Sequence, residues 1–131
     1  CKFLLKHSKK NKINSIFLSS IQGVGLPKFH HYKNLQMSSP LEYTLIKSSL
    51  LMLIKYIVKY SKSKNLRINC ISPGGILDNQ NKKFIDRYKK DCISKGLLDP
   101  KDLISAFDFL LSKNSSFING QNIIVDDGWS L

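Results

Sequence analysis

Short apolar runs rich in β-branched residues alternate with longer helical stretches, and this alternation limits the fold more than any other feature of the chain. Ile13-Asn14-Ser15-Ile16-Phe17-Leu18-Ser19 and Leu66-Arg67-Ile68-Asn69-Cys70-Ile71 read as buried strands, and Gln121 to Val125 as a third. Leu41 to about Ser61 carries apolar residues on nearly every face with neither Gly nor Pro, which predicts a long helix buried on more than one side. Residues 2–9 read as the end of a helix, and residues 81–95 as a polar helix with Phe84, Ile85 and Tyr88 on one side. Asp99-Pro100 sets an N-cap and a first-turn proline at the start of a further helix running to about Leu111. Strands alternating with helices imply a parallel sheet covered on both faces, an α/β fold in a single domain. Three strands leave both sheet edges unpaired. Further strands are therefore expected from a portion preceding residue 1. The opening at Cys1, which reads as a helix entered part-way, points the same way.

Charge and cysteine narrow the function classes. The 21 basic residues against 9 acidic ones leave a net charge of +12, which raises nucleic acid or an anionic surface as a partner. Only Arg67 and Arg87 are arginine, the side chain suited to bidentate recognition of phosphates and bases, and the charge is spread along the chain. The expectation is no nucleic acid, with a basic nucleic-acid binder as the weaker alternative. The run from Ser48 to Ile54 lies between Lys47 and Lys55 and is too short to span a bilayer, so no membrane association is expected. Cys1, Cys70 and Cys92 show no CxxC spacing, and Cys70 falls in an apolar strand; a reduced, cytoplasmic setting fits.

Tyr43 and Lys47 stand four apart on the long helix, so both project from one face. An ammonium beside a phenol favours the phenolate, and a tyrosine so placed can pass a proton near neutral pH. Tyr60 and Lys64 repeat the spacing, so the pair alone is weak support. Its surroundings strengthen it. The first strand ends in Ser19-Ser20-Ile21-Gln22-Gly23, and carboxyl ends of parallel strands form ligand crevices where a hydroxyl can donate to a carbonyl. The second ends in Ser72-Pro73-Gly74-Gly75-Ile76, which lets backbone approach a flat ligand.

These three segments, with Ile118-Asn119-Gly120-Gln121 and Val125-Asp126-Asp127-Gly128, resemble the short-chain dehydrogenase/reductases across essentially the whole chain. The resemblance implies the C-terminal half of a doubly wound, Rossmann-type parallel-sheet domain. It implies a nicotinamide-dependent oxidoreductase using NAD or NADP. Ser20 would orient a carbonyl or alcohol, Tyr43 would be the acid/base, and Lys47 would support Tyr43 and bind the nicotinamide ribose. Tyr43, Lys47, Pro73, Gly74 and Ile76 would then form the cofactor side of the site. Ser72 to Gln80 and the Val125 to Leu131 ending resemble the subgroup acting in flagellin modification and nonulosonic-acid synthesis, which implies a sugar or nucleotide-sugar precursor as the small-molecule substrate. The family also implies a homo-oligomer, dimer or tetramer, packing through the long helix. Among its apolar residues Met52 and Ile57 are instances of candidates for the outward face, and the sequence leaves open which of them points there.

Several features depart from the family pattern. The Gly-rich turn that holds the pyrophosphate, the residue that selects NAD or NADP, and the tetrad asparagine would all precede residue 1. The stretch between Ser20 and Tyr43 is longer than usual and carries Phe29, His30, His31 and Tyr32, either a substrate-covering loop or a surface insertion. Adjacent histidines without a third ligand do not predict a metal site, so none is expected. Asp78 stands where many members have a threonine, either near the cofactor ring or as a solvated turn residue. The chain alone is expected to be inactive, the activity belonging to a longer protein; the rival reading is an inactive truncated remnant or assembly module.

Overall fold

A computed structural model describes residues 2–131; Cys1 lies outside them. Among the described residues, α-helices and strands follow in the order helix α1 (Lys2–His7), strand β1 (Ile13–Leu18), helix α2 (Leu41–Ser61), strand β2 (Leu66–Pro73), helices α3 (Lys82–Lys90) and α4 (Ile104–Leu111), and strand β3 (Asn122–Val125), with short 3-10 turns between some of them. The strands form one parallel sheet in the order β1-β2-β3. Ile13 lies opposite Leu66 at one end of the first pairing, and Pro73 opposite Val125 at the end of the second. The expected α/β architecture with a parallel three-stranded sheet is present.

Period-two alternation along β2 sends its side chains to two different layers. Leu66, Ile68 and Cys70 close a core with Ile54 and Ile57 of α2, against which Leu4 and Leu5 of α1 pack. Each fully buried aliphatic side chain of this kind contributes about 1.5–3 kcal/mol. The opposite face meets α4. Asn14, in register with Arg67, donates to the Leu110 carbonyl at 2.9 Å, and Arg67 donates to the carbonyls of Ser112 and Ser115 just past α4.

Two asparagine side chains set the register of β3. Buried Asn69 donates to Ile118 O at 2.8 Å and accepts from Gln121 N at 3.0 Å. Asn119 accepts from Ile68 N at 2.9 Å and donates to Leu66 O at 3.1 Å. The Asn119 amide satisfies the backbone of β2 where β3 has not yet begun, and the Asn69 amide that of the segment leading into β3. Gly120 makes the turn at φ 72°, the left-handed region open to glycine.

Some boundaries differ from the sequence expectation. The helix expected over 81–95 ends at Lys90, because the N–H groups of Ser94, Lys95 and Gly96 bond the Asp127 carboxylate instead of helical carbonyls. Those bonds, the one from Gly96 foremost, hold the Asp127 carboxyl down at about 2. The helix expected from Pro100 starts as a 3-10 turn, Pro100–Leu103, with Asp99 as its N-cap, and becomes α-helical from Ile104. β2 continues past Ile71 through Ser72 and Pro73, paired to β3. Among the described residues no helix is long and apolar enough to cross a membrane.

Candidate active site

The carboxyl ends of β1 and β2 meet the first turns of α2. Past β1, Ser19 Oγ donates to the Lys47 carbonyl at 2.7 Å, tying strand end to helix. Ser20 caps the 3-10 turn Ile21–Gly23, its Oγ accepting from Gln22 N at 3.1 Å. Used there as an acceptor, the Ser20 hydroxyl keeps its own proton for a ligand. Lys47 Nζ donates to Leu18 O at 3.0 Å and lies 5.5 Å from the centre of the Tyr43 ring. That is cation–π range. Tyr43 is 41% exposed, open to whatever enters.

These groups face one cavity of about 390 Å³. All six sequence-derived residues line it: Ser20, Tyr43, Lys47, Pro73, Gly74 and Ile76. Asp78 does not; it is exposed in a turn, and its N–H bonds the Gln80 side chain at 2.7 Å. That arrangement suits the turn reading of Asp78. The second pair also separates from the first. Tyr60 stacks on Tyr56 and lines a different groove, beside α1. Lys64 lies beyond the helix, because Lys62 adopts a left-handed backbone (φ 46°) after Ser61.

Apart from Tyr32, offered as part of a substrate-covering loop, the sequence did not single out the far wall of the cavity. It is built from Gln22, Tyr32, Phe84, Tyr88 and Trp129. Phe84 and Tyr88 stood out only as the apolar side of α3, and Trp129 only as part of the chain ending. The insertion contributes directly: Tyr32 lines the cavity, and its hydroxyl accepts from Gln22 Nε2 at 3.3 Å. Ser39 Oγ donates to Gln22 Oε1 at 2.5 Å, completing a polar chain on the same side.

Three tyrosines thus border the cavity, and their surroundings separate them. Burial pushes the Tyr88 phenol far above the ordinary range, and its oxygen accepts from Gly75 N at 2.6 Å. Burial also raises Tyr32. Both remain protonated hydrogen-bonding groups near neutral pH. Tyr43 differs from them in being exposed and adjacent to an ammonium. Cys70, fully buried behind the site, has its thiol raised by burial and is a packing residue.

Known proteins resemble this chain in sequence and fold. The sequence model of the family described as enoyl-(acyl carrier protein) reductase matches residues 13–130. The chain is 47% identical over 130 residues to post-translational flagellin modification protein A of Campylobacter coli, covering 99% of this chain and 50% of that protein. It is 32% identical over 94 residues to 7alpha-hydroxysteroid dehydrogenase of Bacteroides fragilis, covering 68% of this chain and 36% of that one. A short-chain dehydrogenase from Leptospira borgpetersenii with bound NAD+ superposes with a TM-score of 0.88 at 31% identity, over 98% of this chain and 49% of its own. The chain therefore spans half or less of the length of these relatives. By sequence match and fold, the chain belongs to the short-chain dehydrogenase/reductase family.

Proposed function

We propose that the full-length protein is an NAD- or NADP-dependent oxidoreductase acting on the carbonyl or alcohol of a small molecule, with this chain carrying its proton-transfer groups. The observation that carries the reading is the convergence of Ser20, Tyr43 and Lys47 on one cavity walled by the Pro73-Gly74 strand end. A rigid parallel sheet fixes the serine and the strand end, and one helix fixes the other two.

The residues present fit the nicotinamide end of the cofactor. Lys47 offers an ammonium suited to ribose hydroxyls, and Pro73, Gly74 and Ile76 offer a backbone-rich, apolar wall for a flat ring. When bound, the nicotinamide supplies or accepts the hydride. Ser20 orients the substrate oxygen with its free hydroxyl proton. Tyr43 gives that oxygen a proton, or takes one from it, while the Lys47 charge stabilises the phenolate left behind.

The mixed wall supports a sugar or nucleotide-sugar precursor as substrate. Tyr32, Tyr88 and Trp129 provide faces for apolar sugar C–H groups, and Ser20, Gln22 and Ser39 provide hydroxyl partners. The similarity to a flagellin modification protein favours the same class. A cytoplasmic setting suits an enzyme drawing on the nicotinamide pool. The test is reduced-nicotinamide absorbance with the full-length protein and a panel of keto-sugars and nucleotide-linked keto-sugars. Cofactor turnover with at least one of them is expected. Cofactor binding without turnover on any sugar, alongside turnover of a steroid or an acyl thioester, would overturn the sugar reading.

The same reading includes a homo-oligomer built on α2. Leu41, Leu45, Met52 and Tyr56 form an exposed stripe on one side of this helix. Met52 is 67% exposed, whereas Ile57 is 2% exposed and part of the core, which removes Ile57 as an outward residue. Met52→Glu should therefore split the full-length assembly with its far-ultraviolet dichroism unchanged, and Ile57→Glu should unfold it. Sizing chromatography decides; a wild-type monomer would sink the interface.

A further inference from the structure

We propose that His30, His31 and Asp91 bind one divalent transition ion of the zinc class, which clasps the insertion to the carboxyl end of α3. The side chains come from two separate elements. His30 and His31 lie in the 3-10 turn Phe29–Tyr32, and Asp91 caps α3. Both imidazoles bring Nε2 to the same carboxylate oxygen, Asp91 Oδ2, at 3.1 Å from His30 and 2.7 Å from His31. One ligand atom from each residue lies within 4.8 Å of the others. The third ligand absent from the sequence neighbourhood is thus supplied by the fold.

Metal–ligand bonds of about 2.0–2.2 Å at a tetrahedral centre hold the ligand atoms roughly 3.3–3.6 Å apart. Admitting an ion asks the two imidazole–carboxylate separations to widen by less than about 1 Å. The turn is already held for this. Arg87 Nη1 donates to the carbonyls of His31 at 3.2 Å and Lys33 at 2.6 Å. The His31 ring is wedged against Tyr88 and Trp129, with ring centroids 5.4 and 5.9 Å away. His30 meets it edge-on at 4.4 Å.

Two imidazoles with one carboxylate suit zinc, cobalt or nickel, whereas magnesium and calcium favour all-oxygen sites. Three protein ligands leave a position for water. Lys28 Nζ sits 3.7 Å from the same Asp91 oxygen and is the positive charge an ion would replace. That ammonium also rests over the Trp129 ring at 4.7 Å and can keep this contact. Tyr32 follows the two histidines and lines the cavity. The ion would stiffen that wall without touching Ser20, Tyr43 or Lys47.

The experiment uses tag-free, chelator-stripped full-length protein, with Co2+ as spectroscopic probe and Zn2+ as competitor. One equivalent of Co2+ per chain should give the visible absorption of a nitrogen–oxygen site, and Zn2+ should abolish it. His30→Ala, a change at a solvent-facing ring, and Asp91→Asn should each weaken binding at least about tenfold, since losing even an outer partner of a metal site costs this much. His7→Ala, at the remaining histidine on α1, should leave binding unchanged. Absence of one-equivalent binding by the wild type would overturn the site, as would binding indifferent to His30→Ala. If Asp91→Asn does not fold, His30→Ala alone decides.

Discussion

Tyr43→Phe in the full-length protein is expected to lower turnover by at least about a hundredfold, the usual worth of a positioned acid/base group. Folding and cofactor affinity should change little. The substitution removes one hydroxyl from a side chain that is 41% exposed and leaves its ring beside Lys47. Tyr60→Phe should stay within a few fold of wild type. Tyr60 lies about 25 Å further along α2 at 1.5 Å per residue and borders a groove with α1. The other cavity tyrosines cannot substitute for Tyr43. Burial holds Tyr32 and Tyr88 in their neutral forms and disfavours the phenolate that a proton donor must leave behind. Both mutants are to be measured at saturating cofactor. Near-normal turnover by Tyr43→Phe would remove the acid/base from the mechanism.

What was legible in the sequence follows from how local each signal is. β-branched runs and a long helix without Gly or Pro announce themselves within their own windows, so the strands and α2 appear close to where they were expected. That Ser20, Tyr43 and Lys47 would face one cavity was legible because strand ends and a one-turn helical spacing fix direction as well as position. The early end of α3 was not. Its cause is the Asp127 carboxylate, which lies far along the chain and gathers three N–H groups that a helix would otherwise use. Asp91 beside His30 and His31 was hidden for the same reason, since the contact joins an insertion to a helix end remote in sequence. Tyr60 and Lys64 show the converse. Their spacing matches that of Tyr43 and Lys47, and only the left-handed residue at Lys62 reveals that no helix joins them.

Gly23→Ala should damage both the fold and the chemistry, through the packing of the Ile21–Gly23 turn on α2. A Cβ at Gly23 would stand 2.6 Å from Ser19 Oγ and 2.7 Å from the carbonyl carbon and oxygen of Lys47. Two of those atoms are helix backbone and cannot turn aside. The methyl must push the turn and α2 apart, breaking the Ser19 Oγ to Lys47 O bond of 2.7 Å. Overpacking of this sort costs about 1–3 kcal/mol. The same displacement separates Ser20, on the turn, from Tyr43 and Lys47, on the helix. A misplacement approaching 1 Å in such a constellation costs up to about a hundredfold in rate. Turnover should therefore fall at least about tenfold even where the protein remains folded. Gly25→Ala is the control: a Cβ there meets nothing within 4 Å. It should shift stability by no more than about 0.5 kcal/mol, the range of ordinary surface changes, and leave turnover intact. Denaturant unfolding and steady-state kinetics on both variants read the two effects separately. Wild-type turnover in Gly23→Ala would mean that the spacing between turn and helix does not position the reacting groups, and the cavity would have to be understood without Ser20.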